Sequence, residues 1–324
     1  MIPVHVLTGF LGSGKTTLLS SLLRHPDMGD TAVIVNEFGE IGLDHELIET
    51  SDETVMQLTT GCLCCSVQND LAATLLSLAA LRRSGEVRLA RVVVETSGLA
   101  DPAPLLHTLM TDPDVAAIFS VGRVATTVDA VAGARTLARY PEARKQVILA
   151  ERLVMTKTDL AAAPEALLRT LALMNRSASI LDAHAGPATP EALFGRVEDA
   201  EAPPRPLPGA TAEHTHGIAA VAVVREEPLP ASAIPLFLEG LATHAGARLL
   251  RVKGIVAIAE APETPMIIHG VQHVFHPPVW RERWRSADRR TRIVLIGENL
   301  PSRWPGLLLN AIVDEVAEAQ CVSK

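Results

Sequence analysis

Aromatic side chains are nearly missing from this sequence: three Trp, one Tyr and six Phe in 324 residues. A platform that stacks single-stranded nucleic acid needs such rings, and gripping a phosphate backbone needs an excess of cations. The net charge of −8 supplies no excess, so nucleic acid is not an expected partner. No apolar run reaches the roughly 20 residues of a membrane-spanning helix, so no membrane partner is expected either. The first residues pass directly into an apolar run and a glycine-rich loop. That leaves no room for a signal peptide and gives a cytoplasmic expectation. Cysteine is rare as well. Of four, three crowd into residues 61–65, Gly-Cys-Leu-Cys-Cys, while Cys321 stands alone near the end. In a reducing compartment such a cluster reads as metal-binding or redox-active, not as a disulfide framework. Against these shortages stands a hydrophobic fraction of 48%, enough for a large buried core and, at this length, for two domains.

The stretch around which the chain is organised comes first. Gly9-Phe10-Leu11-Gly12-Ser13-Gly14-Lys15-Thr16 fits G-x-x-x-x-G-K-[ST], with the apolar run 4–7 before it and the helix-like 17–23 after it. Glycines let backbone bend closely around phosphate, so that N–H groups and the following helix N-terminus face the anion. Gly9, Gly12, Ser13, Gly14, Lys15, Thr16 and Thr17 form the expected nucleotide site. Within it Lys15 would reach the β- and γ-phosphates, and the Thr16 hydroxyl would ligate Mg2+.

Residues 31–35, 55–58, 91–94, 124–128 and 153–155 read as further short strands. A helical pattern runs from 67 to 82 on Leu71, Leu75, Leu78 and Leu81. Strands alternating with helices predict an α/β, P-loop NTPase-type domain with a mostly parallel, doubly wound sheet over residues 1–197. Ligands of such sheets sit at the carboxyl ends of the strands. Residues 198–213 are rich in Pro and Ala, have no periodicity and read as a linker. Beyond them, strand-like 217–224, helix-like 234–244, strand-like 249–259, 266–274 and 292–296, and helical 307–319 predict a smaller α+β domain over 214–324.

Three further motifs lie where such a domain would place ligands. Thr156-Lys157-Thr158-Asp159 follows an apolar strand. A carboxylate there can accept from the N1–H and exocyclic amine of guanine, whereas adenine offers an acceptor at N1 and would leave Asp159 unpaired. The Lys157 stem would cover one face of the base. The usual GTPase form begins with Asn, so Thr156 is a departure, and a helix N-cap at Thr158 or Asp159 is the other explanation. Glu95-Thr96-Ser97-Gly98 ends another strand: Glu95 can hold the Mg2+ shell or a water, and Gly98 can approach a γ-phosphate. Thiolates of Cys62, Cys64 and Cys65 favour zinc, cobalt(II) or copper(I) over magnesium or calcium. Three sulfurs leave a tetrahedral site open, which suits metal that must be handed on.

Taken together, these motifs resemble the CobW family of P-loop GTPases, which includes cobalamin-synthesis and zinc-homeostasis proteins. The resemblance extends to residues 36–40 (Asn-Glu-Phe-Gly-Glu), 251–254 (Arg-Val-Lys-Gly) and 270–276. It implies GTP hydrolysis with Mg2+, and a divalent metal, Zn2+ or Co2+, held at the cysteines and delivered to a client metalloprotein. It also implies that Glu37 and Glu40 belong to a switch loop between nucleotide and metal, with Glu37 a further ligand for metal or water. Lys15, Glu37 and Glu95 are then the expected catalytic side chains. The long His-rich tract of many members is reduced here to His214-Thr215-His216. A nucleotide-dependent metal sensor or scaffold without turnover would use the same residues. A small-molecule kinase would use the loop and leave the cysteines idle. Self-association into a homo-oligomer is compatible with all three.

Two weaker signals remain. His273 and His276, read on one strand, would face opposite sides, which favours packing over joint chelation. Residues 280–292 hold six Arg and two Trp, read as a solvated loop between strands or as a client-docking surface.

Overall fold

The computed structural model describes residues 1–36, 55–58, 66–175, 177–184, 188–195, 218–275, 277–284 and 286–322. The chain forms two compact units, Met1–Arg196 and Val197–Lys324. Cys62, Cys64, Cys65, Glu37, Glu40, the linker stretch, His214, His216 and His276 lie outside the described residues.

In the first unit the elements run β1 (Ile2–Gly9), α1 (Lys15–Leu23), β2 (Thr31–Asn36), β3 (Val55–Leu58), α2 (Ser66–Ser84), β4 (Arg91–Thr96), α3 (Ala103–Thr111), α4 (Pro113–Ile118) and β5 (Phe119–Asp129). They continue as α5 (Gly133–Arg139), α6 (Pro141–Leu149), β6 (Arg152–Thr156), α7 (Glu165–Met174), β7 (Ser179–Asp182) and α8 (Pro190–Phe194). Among the described residues, seven strands form one sheet in the order β3-β2-β4-β1-β5-β6-β7, every pairing parallel. The expected doubly wound α/β fold is therefore present. The central strands read as near-continuous apolar runs because helices cover both faces. In β4, Val92, Val93 and Val94 are all fully buried. Helix α1 turns Leu18, Leu19 and Leu22 onto the sheet, where they pack with Leu7, Val33 and Val154. Each such leucine contributes about 2 kcal/mol of burial, which fixes α1 and the loop that leads into it. Strand β7 was not foreseen. Its four residues are half-exposed on the sheet edge and give no alternating pattern.

The second unit contains β8 (Ile218–Arg225), α9 (Ala233–Ala245), β9 (Leu249–Val256), β10 (Met266–Val271), β11 (Val274–Phe275), β12 (Val279–Trp280), β13 (Thr291–Glu298) and α10 (Trp304–Val322). The sheet order is β11-β10-β9-β13-β8, with β12 also pairing β10, and all pairings are antiparallel. Its core joins Val221 and Val223 of β8 and Ile293 and Leu295 of β13 to Phe237 and Leu241 of α9 and Leu309 of α10. Two expected strands are shorter than their apolar runs. The run 249–259 leaves the sheet after Val256, because Ala257 donates to the Thr291 hydroxyl and the next residues pair with Leu229. The run 266–274 is broken by a turn with Gln272 at φ +53°, so Val271 pairs with Val274 and His273 lies in the turn, not on a strand.

The arginine-rich stretch is tied down in place. Asp288 accepts from Arg290 Nε and Nη2 at 2.9 and 3.0 Å and from Arg292 Nη1 at 3.0 Å. Arg289 pairs with Glu263 at 2.6 Å, and the Trp284 indole N–H donates to the Pro262 carbonyl at 2.8 Å. Hydrogen bonding from Arg290 holds the Asp288 carboxyl down at about 2. Arg289, Arg290 and Arg292 are thus each paired with a carboxylate.

A buried titratable group sits on β1 of the first sheet. His5 of β1 is 4% exposed, lies 4.8 Å from the Phe194 ring, and its Nδ1 accepts from the Arg123 N–H at 2.9 Å. Burial, then the charges of Arg91 and Arg123, push its pKa down from 6.5 to about 4. A depressed histidine pKa means that the unfolded chain takes up the proton first as pH falls. The stabilisation is full above pH 6.5 and is lost as pH falls toward 4, a span worth roughly 3 kcal/mol. Urea unfolding at several pH values should show that slope, and His5→Gln, which keeps an acceptor for Arg123, should flatten it.

Candidate nucleotide site

The site is built where the sheet order turns about β1. At the end of that strand the chain bends through residues 9–14 and enters α1 at Lys15. Gly14 takes the left-handed conformation (φ +84°) as N-cap, a position that favours glycine. No side chain caps α1 and its first turn carries no acid. The positive end of the helix is therefore left for an anion. Lys15 is buried, and its Nζ donates to the carbonyls of Gly9 at 2.9 Å and Phe10 at 3.3 Å. These bonds fold the ammonium back over the loop. Gly9 and Gly12 fall within the bend, and Thr17 is exposed on the first turn of α1.

The loop is supported by buried hydroxyls whose links to one another no sequence motif marks. Thr96 at the end of β4 donates to the Thr8 hydroxyl at 2.8 Å. The Ser13 and Thr127 hydroxyls meet at 2.7 Å, and Thr127 also donates to the Thr8 carbonyl at 3.3 Å. Thr156 at the end of β6 donates to the Ser13 carbonyl at 2.7 Å, with the Val128 carbonyl at 3.3 Å. Four parallel strands are thereby joined through the loop that rides on them. Thr156, the departure from the usual Asn, keeps a donor at the position where that donor supports the phosphate loop. Phe10 stacks on Tyr140 at 4.4 Å, between α5 and α6, and anchors the outer side.

Glu95 and Thr16 come together. The Thr16 hydroxyl donates to Glu95 Oε1 at 2.8 Å, and Glu95 is 2% exposed. A hydroxyl that spends its proton on a carboxylate keeps its lone pairs for a cation. Gly98 lies against the same loop, so close that a Cβ there would stand 2.6 Å from the Leu11 nitrogen. The fully buried Gln146 of α6 holds that approach, donating to the carbonyls of Gly98 at 3.2 Å and Ala100 at 3.0 Å.

Lys157, Thr158 and Asp159 leave the end of β6. Helix α7 starts at Glu165 with Pro164 as its N-cap, so neither Thr158 nor Asp159 caps it. Lys157 has φ +59°, an uncommon conformation for a lysine, and its Nζ sits 2.6 Å from Asp129 Oδ2. Burial would raise the Asp129 carboxyl, but the Lys157 ammonium and the N–H groups of Ala132 and Val131 outweigh it and hold the group below its ordinary value. Thr158 donates to Asp182 Oδ1 at 2.6 Å, and Asp159 Oδ1 lies 3.1 Å from His184 Nε2. Asp129, Gln146, Asp182 and His184 carried no motif; only their places at or just past strand ends, or on a covering helix, could have marked them.

The Thr156 bond gives a direct check. Thr156→Val leaves the buried Ser13 carbonyl without its side-chain donor, an expected cost of about 1–3 kcal/mol, read as a lower melting temperature and weaker nucleotide binding. Thr156→Asn, which restores an N–H donor, should recover most of both.

The sequence profile of the CobW/HypB/UreG nucleotide-binding domain matches residues 3–182, and that of the cobalamin synthesis protein CobW C-terminal domain matches 218–310. The zinc chaperone YjiA of Escherichia coli is 32% identical over 304 residues, 93% of this chain and 95% of that protein. The zinc chaperone CobW of Pseudomonas aeruginosa is 31% identical, covering 92% and 88%. The crystal structure of Zn(II)-bound YjiA GTPase from E. coli superposes with a TM-score of 0.76 at 26% identity, covering 96% of this chain and 98% of that one. The chain belongs to the CobW/HypB/UreG family, with a CobW C-terminal domain following its nucleotide-binding domain.

Proposed function

We propose that this protein hydrolyses GTP and uses the cycle to grip and release a divalent transition metal, zinc or else cobalt, for delivery to a client metalloprotein. One observation carries the reading. The phosphate loop, the buried Glu95 against Thr16 and the loop at 156–159 stand together at the carboxyl ends of the parallel strands, in a chain matched along nearly its whole length by proteins named zinc chaperones.

In this reading the open N-terminus of α1 and the loop backbone hold the triphosphate. Lys15 exchanges the Gly9 and Phe10 carbonyls for phosphate oxygens, a movement within reach of its flexible stem. Thr16 and Glu95 are hard oxygen donors already in contact, a pair that fits Mg2+. When bound there with nucleotide, the ion supplies charge neutralisation on the phosphates. Glu95, buried beside the loop, orders water at the phosphate end, and Gly98 sits where backbone can follow the γ-phosphate. Asp159 selects guanine, and Asp129 fixes Lys157 along the base.

The cargo is assigned to Cys62, Cys64 and Cys65, with Glu37 as a further ligand. Softness favours zinc or cobalt at thiolates over the magnesium of the nucleotide end. Glu37 and Glu40 lie in sequence between the phosphate loop and those cysteines, so a segment ordered by γ-phosphate and relaxed on its loss links the two sites.

Titration of zinc and cobalt(II), each with a non-hydrolysable GTP analogue and with GDP, should give affinities that differ about 5–150-fold, corresponding to a coupling of 1–3 kcal/mol. Equal affinity in both states removes the proposed cycle even where both ligands bind. Lys15→Ala should lose triphosphate binding and turnover together; wild-type hydrolysis in that variant would remove the assigned phosphate site.

A further inference from the structure

Two short loops leave the carboxyl ends of β6 and β7, and Asp182 braces both. Its Oδ1 accepts from the Thr158 hydroxyl at 2.6 Å and from the His184 backbone N–H at 2.8 Å. The first bond ties down the loop that carries Asp159. The second folds the chain after β7 back on itself in an Asx-type turn. Together they set the His184 ring beside Asp159, Nε2 lying 3.1 Å from Oδ1.

We propose that His184 is a positioning residue for guanine recognition, orienting the Asp159 carboxylate; this rests on the reading of Asp159 as the base-selecting group. The Asp159 side chain is 53% exposed, and the terminal torsion of an aspartate is broad, so an unrestrained carboxylate samples many planes. Guanine presents its N1–H and exocyclic amine in one plane, and a carboxylate takes both only when coplanar with them. An imidazole nitrogen held 3.1 Å from one oxygen narrows the planes that the carboxylate samples. It does not displace the base, because each carboxylate oxygen can accept twice.

The environment decides where the effect is felt. Between two half-exposed side chains the contact is weak. A base laid over Asp159 excludes water, and the same contact then strengthens. The gain therefore falls on nucleotide affinity. The phosphate end, handled by Lys15 and Thr16 on another loop, is left alone.

Equilibrium binding of GTP and xanthosine triphosphate, with steady-state hydrolysis, tests this on His184→Ala, His184→Gln and Asp159→Asn. His184→Ala is expected to weaken GTP binding about 3–10-fold, or about 0.7–1.4 kcal/mol at 1.4 kcal/mol per tenfold. KM should rise by the same factor while kcat at saturating GTP holds. His184→Gln, which keeps an N–H donor, should recover part of the loss. In an Asp159→Asn background, His184→Ala should bring no further loss of GTP affinity. GTP binding in His184→Ala that equals or exceeds wild type overturns the proposal. So does an equal loss in the Ala and Gln variants accompanied by falls in kcat and melting temperature. Should Asp159→Asn leave selection of GTP over xanthosine triphosphate unchanged, the base reading itself fails and takes this proposal with it.

Discussion

Side-chain hydroxyls hold the nucleotide edge of this protein together. A parallel sheet ends in loops that point the same way but share no backbone ladder, so something else must set their spacing. Here Thr8, Ser13, Thr96, Thr127 and Thr156, all buried, pass hydrogen bonds across the ends of β4, β1, β5 and β6. Each bond is worth only about 1 kcal/mol net, yet each buried hydroxyl left unmatched costs more than that. Losing any one partner therefore costs more than the bond itself was worth, and the phosphate loop is tied at each of these points. Lys15 and Thr16 can then act from a fixed base, with the Thr16–Glu95 contact reaching back to β4.

How much of this could be read beforehand differs from residue to residue. The phosphate loop was legible because glycine spacing and the Lys-Thr pair are demanded by one chemistry. The strands 55–58 and 91–94 were legible because short, mainly apolar runs have few other uses, and β4 runs two residues beyond the expected end to Thr96. The hydroxyl network was not. A threonine in a strand looks the same whether its hydroxyl is merely tolerated or tied to a neighbour 100 residues away. Thr156 illustrates this: from sequence it was a departure from Asn, and the fold turns it into a support for Ser13. Strand β7 and the Asp182–His184 turn were hidden for a different reason. An edge strand with half-exposed residues has no inner face to create a pattern, and a lone histidine beside it has no spacing to betray it.

The second unit shows how a long cationic connection between strands is held in place. Six arginines and two tryptophans in thirteen residues read as a solvated loop between strands or a client-docking surface. Folded, Asp288 takes Arg290 and Arg292, Glu263 takes Arg289, and Trp284 gives its indole N–H to Pro262. The stretch stitches itself to the residues before β10 and becomes part of the sheet's rim. Exposed ion pairs of this kind contribute little each, but several around one carboxylate fix the path of a long connection that lacks a core of its own.

The scarcity of aromatic residues has a last consequence. Tyr140 is the single tyrosine of the chain, and it lies in the first unit with its ring stacked on Phe10 of the phosphate loop. Trp280, Trp284 and Trp304 all belong to the second unit. Each unit thus carries its own native chromophore. Near-ultraviolet signals from tyrosine and from tryptophan separate the phosphate loop from the C-terminal sheet without any label being attached.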